Sequence, residues 1–250
     1  MVRFDATESL TPFRNEGGGF GSILSDAAIV RQVEQGWFDP AWWGEAARRV
    51  TSGGRGGAWF VDSPAGPAVL RHYLRGGLVA KLNRDLHLWR GSERVRSFAE
   101  FRLARELHKD GLPVPEPIAA CYLRRGLFYR AAILVQRLEE VTSLADLVKA
   151  DSASAPWEQT GELVSRCHRG GLDHVDLNAD NILFHPDGRS WVIDLDRCQR
   201  RLPQTGWRMR NLARLERSLL KLHGGRPRAE VQVDIARLRA AYDARWNKGY

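Results

Sequence analysis

Between His174 and Asp196 the chain reads H-V-D-L-N-A-D-N-I-L-F-H-P-D-G-R-S-W-V-I-D-L-D, and no other stretch restricts the local fold as tightly. His185-Pro-Asp-Gly188 is a hairpin turn, so the apolar Ile182-Leu183-Phe184 and the returning Trp191-Val192-Ile193 predict two short antiparallel strands. The second strand delivers Asp194 beside the loop that enters the first. Asp176, Asn181 and Asp194 are therefore expected at one edge of a small hairpin. Carboxylate and amide oxygens are hard ligands that suit Mg2+, and a free aspartate beside them can receive a hydroxyl proton. Asp and Asn also serve as plain turn caps, but here the His174-x-Asp176 pair, Asn181, the apolar strand and Asp194 coincide in one run.

The segments upstream alternate in kind. Val50–Val61 (V-T-S-G-G-R-G-G-A-W-F-V) is a glycine-rich turn running into an apolar, aromatic strand. Ser63-Pro-Ala-Gly-Pro67 makes a turn, and Ala68–Tyr73 reads as the next strand. Ser92 or Ser97 is placed to cap a helix whose apolar face is Phe98, Phe101, Leu103 and Leu107, ending near Gly111. Leu112-Pro-Val-Pro-Glu-Pro117 is a rigid extended crossing, followed by strands around Ile118–Leu123 and Tyr129–Val135. Ser143 then caps a helix over Leu144–Ala150, and Trp157–His168 predicts a longer one. The order is strands, helix, strands, then mostly helix, with no internal repeat.

Composition narrows the class. At 250 residues, 43% hydrophobic and 27% charged, the chain has the balance of a soluble globular protein with a real core. No run approaches the ~18 apolar residues of a membrane span, and Met1–Glu8 is too acidic and polar for a secretory signal. Cys121, Cys167 and Cys198 are odd in number and lack C-x-x-C, which disfavours a disulfide framework or zinc site and fits a reducing compartment. The net charge is +8, and from Arg197 onward the chain holds 14 basic and 4 acidic residues. Such an excess fits contact with phosphate groups on a nucleic acid, an anionic bilayer or a phosphorylated substrate.

His174-x-Asp176-x4-Asn181, with Ile193-Asp194 beyond it, resembles the catalytic loop and metal-binding motif of the protein-kinase-like superfamily. The resemblance covers roughly residues 50–220. It implies an α+β bilobal fold with a small N-terminal antiparallel sheet lobe bearing one helix, and a larger, mostly helical C-terminal lobe. Residues 1–250 are then one kinase-like domain, with the extension and sheet lobe at 1–137 and the helical catalytic lobe at 138–250. It also implies ATP and Mg2+: Asp176 orients the acceptor hydroxyl, and Asn181 and Asp194 hold the metal. Gly53, Gly54, Gly56 and Gly57 would close over the phosphates. Arg71 would replace the usual third-strand lysine, since the nearest lysine, Lys81, lies beyond Gly76-Gly77; Glu100 would be its helix partner, with Glu93 and Glu106 as competitors. His174, Asn178 and Asp196 are supporting candidates.

Departures from the pattern point away from protein substrates. Asn178 stands where protein kinases generally place lysine, Asp196 replaces the glycine after the metal-binding aspartate, and no A-P-E segment follows. The strings H-x-D-L-N-A-x-N-I-L, I-D-L-D-R, V-L-R-H-Y-L-R-G-G-L-V-A and W-F-D-P-A-W-W together resemble the lipopolysaccharide kinase family, in particular its kinases of the inner-core sugar 3-deoxy-D-manno-octulosonic acid (Kdo). That resemblance implies γ-phosphate transfer from ATP to the 4-hydroxyl of Kdo on a lipid A precursor. It places the enzyme peripherally on the anionic inner leaflet, at the cytoplasmic face of a bacterial inner membrane, with no nucleic acid as partner. A heptose kinase of the same family, or an aminoglycoside- or choline-type phosphotransferase, keeps the fold and changes the acceptor. A basic nucleic-acid-binding protein is the reading from another class; its aromatics (Phe60, Phe101, Trp191) occupy apolar elements and form no stacking platform.

Overall fold

The computed structural model describes residues 7–50, 57–74, 85–222 and 224–248. By chain contacts it divides into two compact units, Met1–Arg105 with Glu116–Arg137, and Glu106–Pro115 with Leu138–Tyr250.

In the first unit, β1 (Glu8–Arg14), β2 (Phe20–Asp26), β3 (Arg48–Arg49), β4 (Ala58–Ser63), β5 (Gly66–His72), β6 (His87–Leu88), β7 (Pro117–Arg125) and β8 (Phe128–Gln136) make one sheet. Its order is β1-β2-β7-β8-β5-β4-β3, with β6 also on β8, and every pairing is antiparallel. The central strands read as unbroken apolar runs because both faces are covered. Successive side chains point to opposite faces: Ala132 and Leu134 of β8 join one core with Trp37 and Phe38, while Ala131 and Ile133 join another with Phe98 and Phe101. Those two phenylalanines belong to α1 (Arg96–Lys109). Neither expected serine caps this helix. Ser92 starts a separate 3-10 turn, and Ser97 lies inside the first turn of α1 with its Oγ donating to the Cys121 carbonyl at 2.8 Å. A buried hydroxyl takes the partner within reach, and here that partner is the sheet.

Glu8–Arg14 and Phe20–Asp26 are part of the sheet itself. β2 pairs with β7 from Phe20↔Arg124 to Ser25↔Ala119. At its end Asp26 is ion-paired to Arg105 of α1 and accepts from Ala28 N–H at 3.0 Å. Burial opposes the charge, but these hydrogen bonds prevail and hold the carboxyl below the usual range.

The second unit holds α2 (Leu144–Ala150), α3 (Trp157–Arg169), α4 (Thr205–Lys221) and α5 (Arg228–Asn247), with the short strands β9 (Thr142–Ser143), β10 (Leu172–Asp173), β11 (Ile182–Phe184), β12 (Ser190–Val192) and β13 (Gln199–Arg200). Ser143 caps α2 by accepting from Asp146 N–H at 3.1 Å. α3 and α5 approach closely at Gly161, where a β-carbon would stand 2.2 Å from the Leu238 carbonyl oxygen and 2.8 Å from Tyr242 N. Both obstacles are backbone and cannot swing away. Gly161→Val is therefore expected to destabilise by at least about 2 kcal/mol, read as a lower urea midpoint. Gly206→Ala, on α4 with only a flexible arginine tip nearby at 3.8 Å, should be neutral or stabilising. Equal midpoints for the two variants would contradict the close approach.

The same helices bury a polar cluster. Arg208 Nη1 donates to Tyr242 Oη at 2.8 Å, and its guanidinium lies 3.6 Å from the Trp246 ring centroid. The Tyr242 hydroxyl is then left to donate to His168 Nδ1, 3.0 Å away. Burial, reinforced by the Arg208 charge, pushes the His168 pKa down from 6.5 to about 3. The folded protein thus keeps this imidazole neutral at pH values where the unfolded chain protonates it. Its contribution to stability is complete above pH 6.5 and declines as the pH falls toward 3, by up to about 1.4 kcal/mol per pH unit. Urea midpoints measured from pH 6.5 down to pH 4 should fall, and His168→Gln should flatten the slope by about one proton. An unchanged slope would contradict the assignment.

Candidate active site

The loop from His174 to Asp194 is pinned from below by buried groups. His174 is 1% exposed; its Nε2–H donates to the Ile193 carbonyl at 2.9 Å, and its backbone N–H donates to Asn211 Oδ1 at 2.8 Å. Burial lowers the His174 pKa, opposed by the Ile193 carbonyl and by the nearby Asp194 and Asp176 carboxylates, so the ring is a neutral strut. Asn211 Nδ2 donates to Asp173 Oδ1, and Arg201 Nη1 to Asp173 Oδ2, each at 2.9 Å.

Above this strut the loop is built on side-chain amides. Asn178 Oδ1 accepts from the N–H groups of Asp180 and Asn181 at 2.9 and 3.2 Å, closing the turn as an N-cap. Asn178 Nδ2 and Asn181 Nδ2 both donate to the Asp176 carbonyl, at 3.0 and 3.1 Å. Asn181 Nδ2 is thereby committed to the loop, which turns Oδ1 away from it. Ile193 N–H donates to the Asn181 carbonyl at 3.0 Å, tying the end of β12 to the loop. β11 and β12 pair in the expected register, Ile182↔Val192 and Phe184↔Ser190. Asp194 follows with φ of 61°, a left-handed conformation that aspartate tolerates better than most residues. Asp194 is exposed and Asp196 half-buried. The structure thus brings Asp176, Asn181 and Asp194 to one end of a small hairpin.

The Asp176 carboxylate is 57% exposed, and Arg214 Nη1 of α4 donates to its Oδ1 at 2.9 Å. Arg214, Asn211, Asp173 and Arg201 were not predicted from the sequence. Asn211 left a trace there: it is a polar residue on the apolar face of α4, among Trp207, Leu212, Leu215 and Leu219. Arg214 left none, since one arginine among many on an exposed helix face carries no mark.

In the sheet unit, Arg71 of β5 is ion-paired with Glu100 of α1. Glu100 is 5% exposed and also accepts from the Tyr73 hydroxyl, whose ring lies 5.3 Å from the Arg71 guanidinium. Glu93 faces Arg102 instead. The Gly57 carbonyl accepts from His72 N–H at 2.8 Å, next to β4. Gly53, Gly54, Gly56 and Lys81 lie outside the described residues.

Comparison with known proteins gives this geometry its context. A glucosamine kinase of known structure shares the fold at a TM-score of 0.50 with 15% identity, over 98% of this chain and 80% of that one; the kinase-like fold expected from the motifs is the fold of this chain. A 3-deoxy-D-manno-octulosonic acid kinase of Xanthomonas campestris pv. campestris (strain B100) is 60% identical over 250 residues, 100% of both chains. An enzyme of the same name from Stenotrophomonas maltophilia (strain K279a) is 60% identical over 249 residues, again 100% of both. Residues 40–242 match the lipopolysaccharide kinase (Kdo/WaaP) family. With that match over most of its length and those relatives along all of it, this chain belongs to the lipopolysaccharide kinase (Kdo/WaaP) family and is a phosphotransferase.

Proposed function

We propose that this kinase transfers the γ-phosphate of ATP to the 4-hydroxyl of Kdo on a lipid A precursor. The observation that carries the reading is 60% identity over the whole chain to enzymes named as kinases of that sugar. The chemistry of the loop supports it. Asp176 offers an exposed carboxylate oxygen to the acceptor hydroxyl, accepting its hydrogen bond and turning the oxygen lone pair toward the phosphoryl group. Arg214 holds the other side of that carboxylate. His174 and Asn178 fix the loop from which Asp176 projects.

ATP supplies the phosphoryl group, and Mg2+ neutralises the charge on its phosphates. The protein donors for the metal would be Asn181 Oδ1 and the Asp194 carboxylate, with Asp196 in support. Among the described residues no group of three or more His, Cys, Asp or Glu gathers to form a cage. Mg2+ bound with a nucleotide takes one or two carboxylates and draws its other ligands from phosphate and water, so an amide and a carboxylate on one hairpin edge fit it. Arg71, steadied by the buried Glu100, can grip phosphate oxygens bidentately where a lysine offers a point charge. Gly53, Gly54, Gly56 and Gly57 would let backbone approach those phosphates.

We further propose peripheral attachment to the anionic inner leaflet. A net charge of +8 favours it, and no helix among the described residues is long and apolar enough to cross a membrane. Each basic residue near an anionic surface contributes about 1 kcal/mol.

An acceptor panel with radiolabelled ATP tests the central reading: a Kdo–lipid A precursor, a heptose-bearing core saccharide, an aminoglycoside and choline. Label should enter the Kdo acceptor in preference to the other three. Faster labelling of the heptose acceptor would move the enzyme to a different member activity of its family.

A further inference from the structure

α4 carries Arg210, Arg214, Arg217 and Lys221 at spacings of four, three and four residues. At about 100° per residue these positions share one side of a helix. All four are exposed, on the side opposite the buried Leu212, Leu215 and Leu219. Several arginines elsewhere in this unit are matched with carboxylates: Arg200 with Asp110, Arg201 with Asp173, Arg226 with Asp234 and Arg237 with Glu158. Exposed arginines such as Arg166 and Arg228 also stand without one among the described residues, but singly and not in a stripe. The one acidic residue of α4, Glu216, lies off the stripe and is held by Arg239. Among the described residues Arg210, Arg217 and Lys221 have no ion pair, and the only one Arg214 makes is with Asp176.

Such an arrangement disfavours the free helix, because like charges one turn apart repel. An anion laid along the stripe relieves that repulsion. From Arg210 to Lys221 the track is about 16 Å long, which suits a ligand with several separated anionic groups better than a single phosphate. It also has a fixed relation to the chemistry. Arg214 spends Nη1 on Asp176 at 2.9 Å and keeps its remaining N–H donors for an anion. An ion pair between two half-exposed groups is weak enough to be shared in this way.

We propose that this face of α4 reads the anionic groups of the acceptor itself: the phosphates of a sugar lipid lie on Arg210, Arg217 and Lys221, and Arg214 joins that track to the carboxylate that receives the hydroxyl. The inference rests on the acceptor proposed above and goes beyond it by naming the residues that select a phosphorylated acceptor. General attraction to a bilayer needs no alignment with Asp176, whereas a substrate track does.

The test uses the full chain and neutral detergent micelles free of anionic lipid, with the Kdo–lipid A precursor in its phosphorylated and its dephosphorylated form. In Arg210→Gln/Arg217→Gln/Lys221→Gln, the preference for the phosphorylated acceptor, as a ratio of kcat/KM values, should fall on the order of 10- to 100-fold. The change should lie in the acceptor KM, with kcat and the KM for ATP held and the thermal midpoint unchanged or raised. The charge-preserving Arg210→Lys/Arg217→Lys/Lys221→Arg should retain the preference. Equal losses on both acceptors would overturn the proposal. So would an unchanged ratio accompanied by weaker sedimentation with anionic vesicles, which would assign the stripe to the bulk leaflet. Tighter binding of a short single-stranded RNA than of the phosphorylated acceptor would overturn it as well. If the wild type phosphorylates neither acceptor, the reading of the substrate fails, and tryptophan quenching by the same two micelle preparations decides the stripe. A preference for the phosphorylated form that the glutamine variant abolishes upholds it, and no preference overturns it.

Discussion

Asp176→Asn is expected to lose roughly 10²- to 10⁴-fold in turnover, the range over which a general acid–base group contributes, while the protein stays folded and still binds ATP. Fold retention follows from which atoms of Asp176 are structural. The loop amides of Asn178 and Asn181 donate to its backbone carbonyl, which an asparagine preserves. Among the described residues its side chain hydrogen-bonds and ion-pairs only with Arg214, in a surface pair worth about 0–1 kcal/mol. The substitution therefore removes a charge from the reacting region with little loss elsewhere. Thermal unfolding should be nearly unchanged and nucleotide affinity close to wild type. Near wild-type turnover in the purified variant would remove Asp176 from the role of hydroxyl acceptor.

Asp194→Ala should be comparably severe, and more so than Asn181→Ala. Asp194 would bring a full negative charge to the cation and Asn181 a neutral amide oxygen, so the first deletion withdraws more of the attraction for Mg2+. Both variants should require more Mg2+ for half-maximal activity, and the requirement should shift further for Asp194→Ala. Asn181→Ala carries a second effect, because Nδ2 also holds the Asp176 carbonyl at 3.1 Å; its kcat should fall even at saturating Mg2+. Magnesium titrations of the three proteins separate these terms. Full activity in the presence of EDTA, or rescue of Asp194→Ala by acceptor concentration alone, would contradict the metal assignment.

The parts of this molecule legible in its sequence are those whose signals are local. The hairpin at 182–192, the Ser143 cap and the two strands at 117–136 each declare themselves within a few residues. Arg71 and Glu100 are matched through the resemblance to the kinase-like superfamily, which sets a third-strand cation against a helix glutamate, and the structure joins them. What sequence reading left blank depends on long-range pairing. β2 is a strand because β7, about a hundred residues later, offers it a partner, and nothing in F-G-S-I-L-S-D alone says so. Arg214 lies 38 residues beyond Asp176 on an element read only as basic. Ser97 had the type and position of a cap but found a sheet carbonyl instead, a choice made by packing.

The position of the new phosphate tests the central claim most directly. Purified protein, Mg-ATP and a Kdo–lipid A precursor should yield a product one phosphate heavier, with two-dimensional NMR placing the phosphorus on the 4-oxygen of Kdo, and Asp176→Asn should yield almost none under the same conditions. Phosphate on any other hydroxyl, or an Asp176→Asn reaction that runs at the wild-type rate, would contradict the account.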